Sequence, residues 1–115
     1  MTAQVDLGQL TAGDDYELEV TVLDDTGNPR DILGVPSIKF QLWRRGEMVV
    51  EKALGSGIEI TNAAAGVILI TLNASDTEGL SGVCNYEVEV VDLAGKYQTP
   101  VYGTIPFRRG LIANT

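Results

Sequence analysis

Acidic side chains recur two residues apart at Glu17/Glu19 and Glu87/Glu89, and oxygen-bearing side chains crowd one stretch at Asp24, Asp25, Asn28 and Asp31. Paired carboxylates share acid–base work when a cleft drives their pKa values apart. Clustered carboxylates and amides are the donors that calcium takes. Around these groups the inventory is narrow. The chain has no histidine, so neither a Ser-His-Asp nor a Cys-His arrangement can be assembled. Cys84 is its single cysteine, which excludes an intrachain disulfide and a cysteine-rich zinc site.

The setting of the carboxylates decides what they can do. Glu17 and Glu19 alternate with Tyr16, Leu18 and Val20; Glu87 and Glu89 alternate with Tyr86, Val88 and Val90. Alternation of this kind marks half-buried strands, so each glutamate pair belongs on a solvated strand face and not in a cleft. No motif with catalytic mechanics accompanies them, and the chain reads as non-enzymatic, without a cofactor. The Asp24–Asp31 stretch lacks EF-hand spacing. Aspartate, asparagine and glycine fill ordinary turns as well, so the expectation there is a plain turn, with calcium at Asp24, Asp25, Asn28 and Asp31 as the alternative. Cys84 shares parity with Tyr86 and is expected to be a small buried hydrophobe.

These positions rest on elements that the pattern delimits. With 115 residues, the chain suits one domain, here 1–115, with a core over about 7–107 and a tail over 108–115. Strands are expected at 16–23, 37–44, 47–53, 58–61, 67–72, about 83–92 and about 97–107. Turns fall at 24–31, Arg45-Gly46, 54–57, 62–66 and 93–96. Ser75 and Glu78 have capping-box spacing and predict one helical turn stopped near Gly79 and Gly82. Pro100 and Pro106 predict that the last strand is an edge or is broken by a bulge. About seven strands with turns every 8 to 12 residues indicate an all-β antiparallel sandwich; a small closed barrel would use the same alternation.

The net charge of −8 disfavours nucleic acid and anionic membrane surfaces as partners. The first residues, MTAQVDLGQL, have no signal-peptide pattern, and no apolar run approaches the length of a membrane helix. Synthesis and folding in a cytosol are therefore expected.

Several stretches taken in order resemble a family of small immunoglobulin-like domains common in tailed bacteriophages, which includes the amino-terminal domain of baseplate upper proteins. They are Leu10-Thr-Ala-Gly-Asp-Asp15, Asp25-Thr-Gly-Asn-Pro29, Ser37-Ile-Lys-Phe-Gln-Leu42 and Gly57-Ile-Glu-Ile-Thr61. Further along come Ala65-Gly-Val-Ile-Leu-Ile-Thr-Leu72, Asp76-Thr-Glu-Gly-Leu80 with Gly82, Tyr86-Glu-Val-Glu-Val90 with Asp92 and Gly95, and Gly103-Thr-Ile105. The likeness covers about residues 7 to 106. It implies an immunoglobulin-like fold and a place in a phage virion made in the host bacterial cytoplasm. Tyr86 is then expected in the core, as in the tyrosine corner of such folds. Larger members continue into receptor-binding or fibre regions, whereas this sequence stops at Thr115; the expectation is therefore decoration of the capsid, with a tail or baseplate adaptor as the alternative.

Outward positions that break the polar rule mark a candidate interface. Trp43, Leu69, Val91 and one of Val49/Val50 are apolar where the alternation points outward, and Arg44 and Arg45 adjoin the tryptophan. Trp and Arg are enriched at interface hot spots. Alternatively, Trp43 folds over the end of the sandwich. In the tail, Arg108, Arg109, Leu111 and Ile112 form either a docking arm or a frayed terminus. The expected partners are other virion proteins and further copies of the chain. A carbohydrate- or cell-surface-binding module would want clustered aromatics, and aromatics are only 6% of the chain.

Overall fold

The computed structural model describes residues 8–109 and the backbone of residues 3–4. In chain order the elements are β1 (Ala3–Gln4), β2 (Leu10–Thr11), β3 (Tyr16–Thr21), β4 (Ser37–Arg44), β5 (Glu47–Leu54), β6 (Gly57–Asn62), β7 (Val67–Leu72), the helical turn α1 (Ala74–Thr77), β8 (Gly82–Val91) and β9 (Tyr97–Arg108). The protein is all-β, and its seven longer strands fall where the alternation puts them.

The strands form one curled sheet in the order β3-β7-β6-β5-β4-β8-β9-β1, with β2 also pairing with β9. Its inward side chains meet in a single core. Val20, Ile58, Ile68, Ile70 and Leu72 come from one part of the sheet; Ile38, Phe40, Leu42, Val50, Cys84, Tyr86, Val88, Val90, Val101, Ile105 and Phe107 come from the other. Each large member stabilises the fold by roughly 1.5–3 kcal/mol on full burial. Phe40 and Tyr86 add a tilted ring contact with centroids 5.9 Å apart.

The curl has a local cause between β5 and β6. Ala53 pairs with Gly57, and Leu54 with Ile58, in parallel register, so the chain turns a corner and continues in the same direction. Gly57 has φ +97°, and a Cβ there would lie 2.6 Å from Lys52 Cδ. Gly66, in the β6–β7 turn, has φ +71°, and its missing Cβ leaves room for the carbonyl oxygens of Arg30 and Val22. Only glycine suits both positions.

Four expectations need correction. The sheet is mixed, not purely antiparallel, because β5–β6, β1–β9 and β2–β9 are parallel. It is also open: among the described residues no ladder joins β3 to β9. β9 is not a bare edge, since β1 pairs at Val101 and Tyr102 and β2 at Phe107 and Arg108. Pro100 and Pro106 lie just outside these two short ladders, and the expected bulge is present where the β8 register shifts between Val88 and Val90. Finally, α1 starts one residue after Asn73, not after Ser75. The Asp76 carboxylate accepts the Asn73 N–H at 2.8 Å and Asp15 accepts the Ala74 N–H at 2.5 Å, so these residues cap the turn that Ser75 and Glu78 were expected to cap.

Candidate docking surface

The outer face of β5-β4-β8-β9 follows from register. Ladder partners share a face, so Lys39, Gln41 and Trp43 on β4 stand beside Glu89, Glu87 and Asn85 on β8. Along β5 the register slips between Leu42 and Trp43, which brings Met48 opposite Trp43. Two residues beyond Asn85 on the same face is Val83, paired with Pro106. Met48 is 47% exposed and Val83 61%. Trp43 is half-buried between them: its Nε1–H donates to Gln41 Oε1 at 3.1 Å, and Gln41 Nε2–H donates to Glu51 Oε2 at 2.6 Å. The indole thus has its polar tip satisfied, with Met48 opposite it on β5 and Val83 diagonal to it on the same face. This apolar row lies at the end of the sheet where Arg44, Arg45, Arg108 and Arg109 also gather.

The other expected interface residues are dispersed. Val91 is on the same outer face as Trp43 but pairs with Ser37, six residues further along β8 from Asn85, roughly 20 Å away. Leu69 is on β7, separated from β4 by β5 and β6, and stands between Glu19 and Glu59. Val50 is in the core and Val49 is exposed, so the outward member of that pair is Val49. Arg44 donates from Nη1 to the Gly79 carbonyl at 3.2 Å, and Arg108 from Nε to Thr11 Oγ1 at 2.9 Å; both tie loops together. Leu111 and Ile112 lie outside the described residues.

The acidic loop is held by its own hydrogen bonds. Asp24 Oδ1 accepts from Thr26 Oγ1 (2.6 Å), Thr26 N (2.9 Å) and Asn28 N (3.0 Å); Asp31 Oδ1 accepts from Leu33 N (2.9 Å) in a separate turn. The Thr26 hydroxyl and the loop amides hold the Asp24 carboxyl below the usual carboxylate range. Among the described residues no group of three or more acidic, cysteine or histidine side chains is placed to hold a metal ion. Glu17, Glu19 and Glu87 are exposed and Glu89 is half-buried on strand faces. Glu17 also borders an open groove with Asp15, Tyr16, Thr71 and Leu72. Cys84 is fully buried, and burial pushes its thiol pKa up against the opposing pull of Arg44.

A second exposed apolar group lies at the opposite end of the sheet. Leu33 is 74% exposed, Leu93 77% and Tyr97 75%. The Leu93 side chain lies beside Gly34, where an added Cβ would be 4.0 Å from Leu93 Cδ2. The loops carrying them are braced together. Arg30 Nη1 donates to Gln98 Oε1, and its Nη2 is 3.9 Å from the Asp92 carboxylate. Asp92 Oδ1 also accepts the Ala94 and Lys96 N–H groups, which hold its carboxyl below the usual range. Parity could have revealed Val83, which shares the outward positions of Asn85 and Glu87. Leu33 and Leu93 carry no periodic signal because they sit in turns, and Met48 was hidden by the bulge.

Compared with protein-family models and with curated proteins, the chain finds no significant match in either. The arrangement of its own residues is therefore what carries a functional reading.

Proposed function

We propose that the domain is an immunoglobulin-like sandwich that acts as a non-catalytic docking subunit of a tailed-phage virion. The fold reading is supported by strand order. β3-β7-β6 runs in the order B-E-D, and β9-β8-β4-β5 in the order G-F-C-C′, of immunoglobulin variable-type sheets. The observation that carries the docking reading is that Met48, Trp43 and Val83 share one outer sheet face, at the end of the sheet that also bears Arg44, Arg45, Arg108 and Arg109. Exposed apolar side chains that share a sheet face mark contact sites when they adjoin, and Trp and Arg are the residue types of hot spots. The subunit binds by burying surface, and repeated copies on a symmetric particle multiply weak contacts.

On the particle the domain decorates the capsid. A tail or baseplate adaptor is the second placement, favoured by the family resemblance, and the same docking face would serve it. The test is incorporation. Trp43→Ala and the more exposed Val83→Asp are expected to reduce the amount of subunit on purified particles at least tenfold while leaving the unfolding free energy of the isolated domain in urea within about 1 kcal/mol of wild type. Incorporation of both variants at wild-type levels would remove this face from the reading.

A further inference from the structure

β3 is the last strand on its side of the sheet: it pairs with β7 and, among the described residues, with no other strand. Register fixes which of its backbone groups are left over. Val22 donates its N–H to the Gly66 carbonyl at 2.8 Å. Alternation back along the ladder then makes Val20–Ile68, Leu18–Ile70 and Tyr16–Leu72 the hydrogen-bonded pairs. The N–H and C=O groups of Glu17, Glu19 and Thr21 therefore point away from β7, out of the edge, and no group among the described residues meets them.

An edge of this kind is a template for another strand. Proteins blunt such edges with proline, lysine, bulges or a covering loop. β3 contains neither proline nor lysine, and its six pairs with β7 run without a register shift. Glu17 and Glu19 are exposed. Tyr16 and Leu18 pack against the core but are only half-buried, and Tyr16 with Leu72 lines the open groove at the start of the strand. An added strand would gain backbone bonds to three residues and cover these two side chains.

Charge defines the segment that fits. β3, β6 and β7 carry Glu17, Glu19 and Glu59, and none of the chain's eight bases. Lys52, on the neighbouring β5, is already paired with Asp76 at 2.8 Å. The outward side chains of an added strand would stand about 5 Å from Glu17 and Glu19, where Lys or Arg is favoured and an acid is not. Its inward side chains would flank Tyr16 and Leu18 and so be apolar. A second copy of β3 does not fit. The antiparallel register that uses Glu17, Glu19 and Thr21 of both copies sets the two Glu19 side chains opposite one another.

We infer that the free edge of β3 accepts, as an additional strand, an extended segment of another protein in which apolar residues alternate with Lys or Arg. Backbone bonds supply the attachment, and the glutamates select the partner's charge.

Amide exchange of the purified chain, read residue by residue by NMR, is the test. In the free chain the Glu17, Glu19 and Thr21 amides are expected to exchange at least tenfold faster than those of Leu18 and Val20. A capped peptide of alternating valine and lysine, about seven residues long and at about 1 mM, is expected to slow the three edge amides at least fivefold. The same peptide with glutamate in place of lysine is expected to leave them unchanged. Glu19→Pro removes only an outward N–H and is expected to stay folded and lose the response. The double variant Glu17→Lys with Glu19→Lys keeps the edge and is expected to prefer the glutamate peptide. Edge amides as slow as those of Leu18 and Val20 in the free chain would overturn the inference, as would protection that grows with protein concentration alone. So would no response to the lysine peptide, an equal response to both peptides, a full response in folded Glu19→Pro, or an unchanged preference in the double variant. The edge lies on a different strand from Trp43, so none of these results bears on particle incorporation through the Trp43 face.

Discussion

Thr77 shows how one hydroxyl fixes the approach to the first long strand. It is fully buried, accepts the Gly13 N–H at 2.9 Å and lies 3.0 Å from the Asp14 carbonyl, to which it donates. The loop before β3 is thereby pinned to α1, sixty-four residues further along the chain. Burial of a polar group is tolerated because these partners replace water. Thr77→Val keeps the shape and removes the hydroxyl, and is expected to lower stability by about 1–3 kcal/mol in urea unfolding, with Thr77→Ser close to wild type. Equal midpoints for the Val variant and the wild type would show that the pin carries no energy. In the sequence Thr77 looked like an ordinary residue between Asp76 and Glu78, since its partners come from residues 13 and 14, which no local pattern could bring near.

At the scale of elements, three carboxylates hold turns and caps together: Asp24 in the β3–β4 loop, Asp76 at α1 and Asp92 in the β8–β9 hairpin. Asp24 is held below its ordinary range chiefly by the Thr26 hydroxyl, and Asp92 chiefly by the Lys96 N–H. Burial works against ionisation of Asp76, but the Lys52 ammonium and the Asn73 N–H outweigh it and leave its pKa lowered as well. Each group is more acidic folded than unfolded, so its contribution is complete above the unfolded value of about 3.9, declines as the pH drops below it and is lost as the pH falls through the lower folded value. The urea midpoint is expected to be lower at pH 3 than at pH 7, and Asp76→Asn to shrink that drop; a pH-independent midpoint would contradict the assignment. The seven longer strands were legible because alternation reports which side chains face a core, and SIKFQLWR and VILITL became β4 and β7 without a shift. β1 and β2 were not, because two-residue parallel ladders have no period. The helical turn was placed correctly in region but not in cap, because Asn73 with Asp76 competes with Ser75 and Glu78 on equal local terms, and Lys52 and Asp15 decide between them from far along the chain.

At the scale of the whole molecule, the candidate surface was half legible. Parity exposed Trp43, and the structure sets Met48 opposite it and Val83 on the same face while sending Leu69 and Val91 elsewhere, because only the sheet order tells which outward residues adjoin. The apolar loop end lay beyond periodic reasoning altogether. The result is an elongated domain of 44 × 24 × 21 Å with an apolar group at each end and acidic strand faces between. Such a distribution suits contacts made end on, with the acidic faces resisting indiscriminate association. The docking proposed for this domain runs through the Trp43 end. A density map of the intact particle at residue resolution, with this chain traced in it, tests that most directly. Ordered copies with Trp43, Met48 and Val83 covered by a neighbouring subunit are expected. Ordered copies whose Trp43 end faces solvent throughout, or particles that contain no copy of the chain, would contradict it.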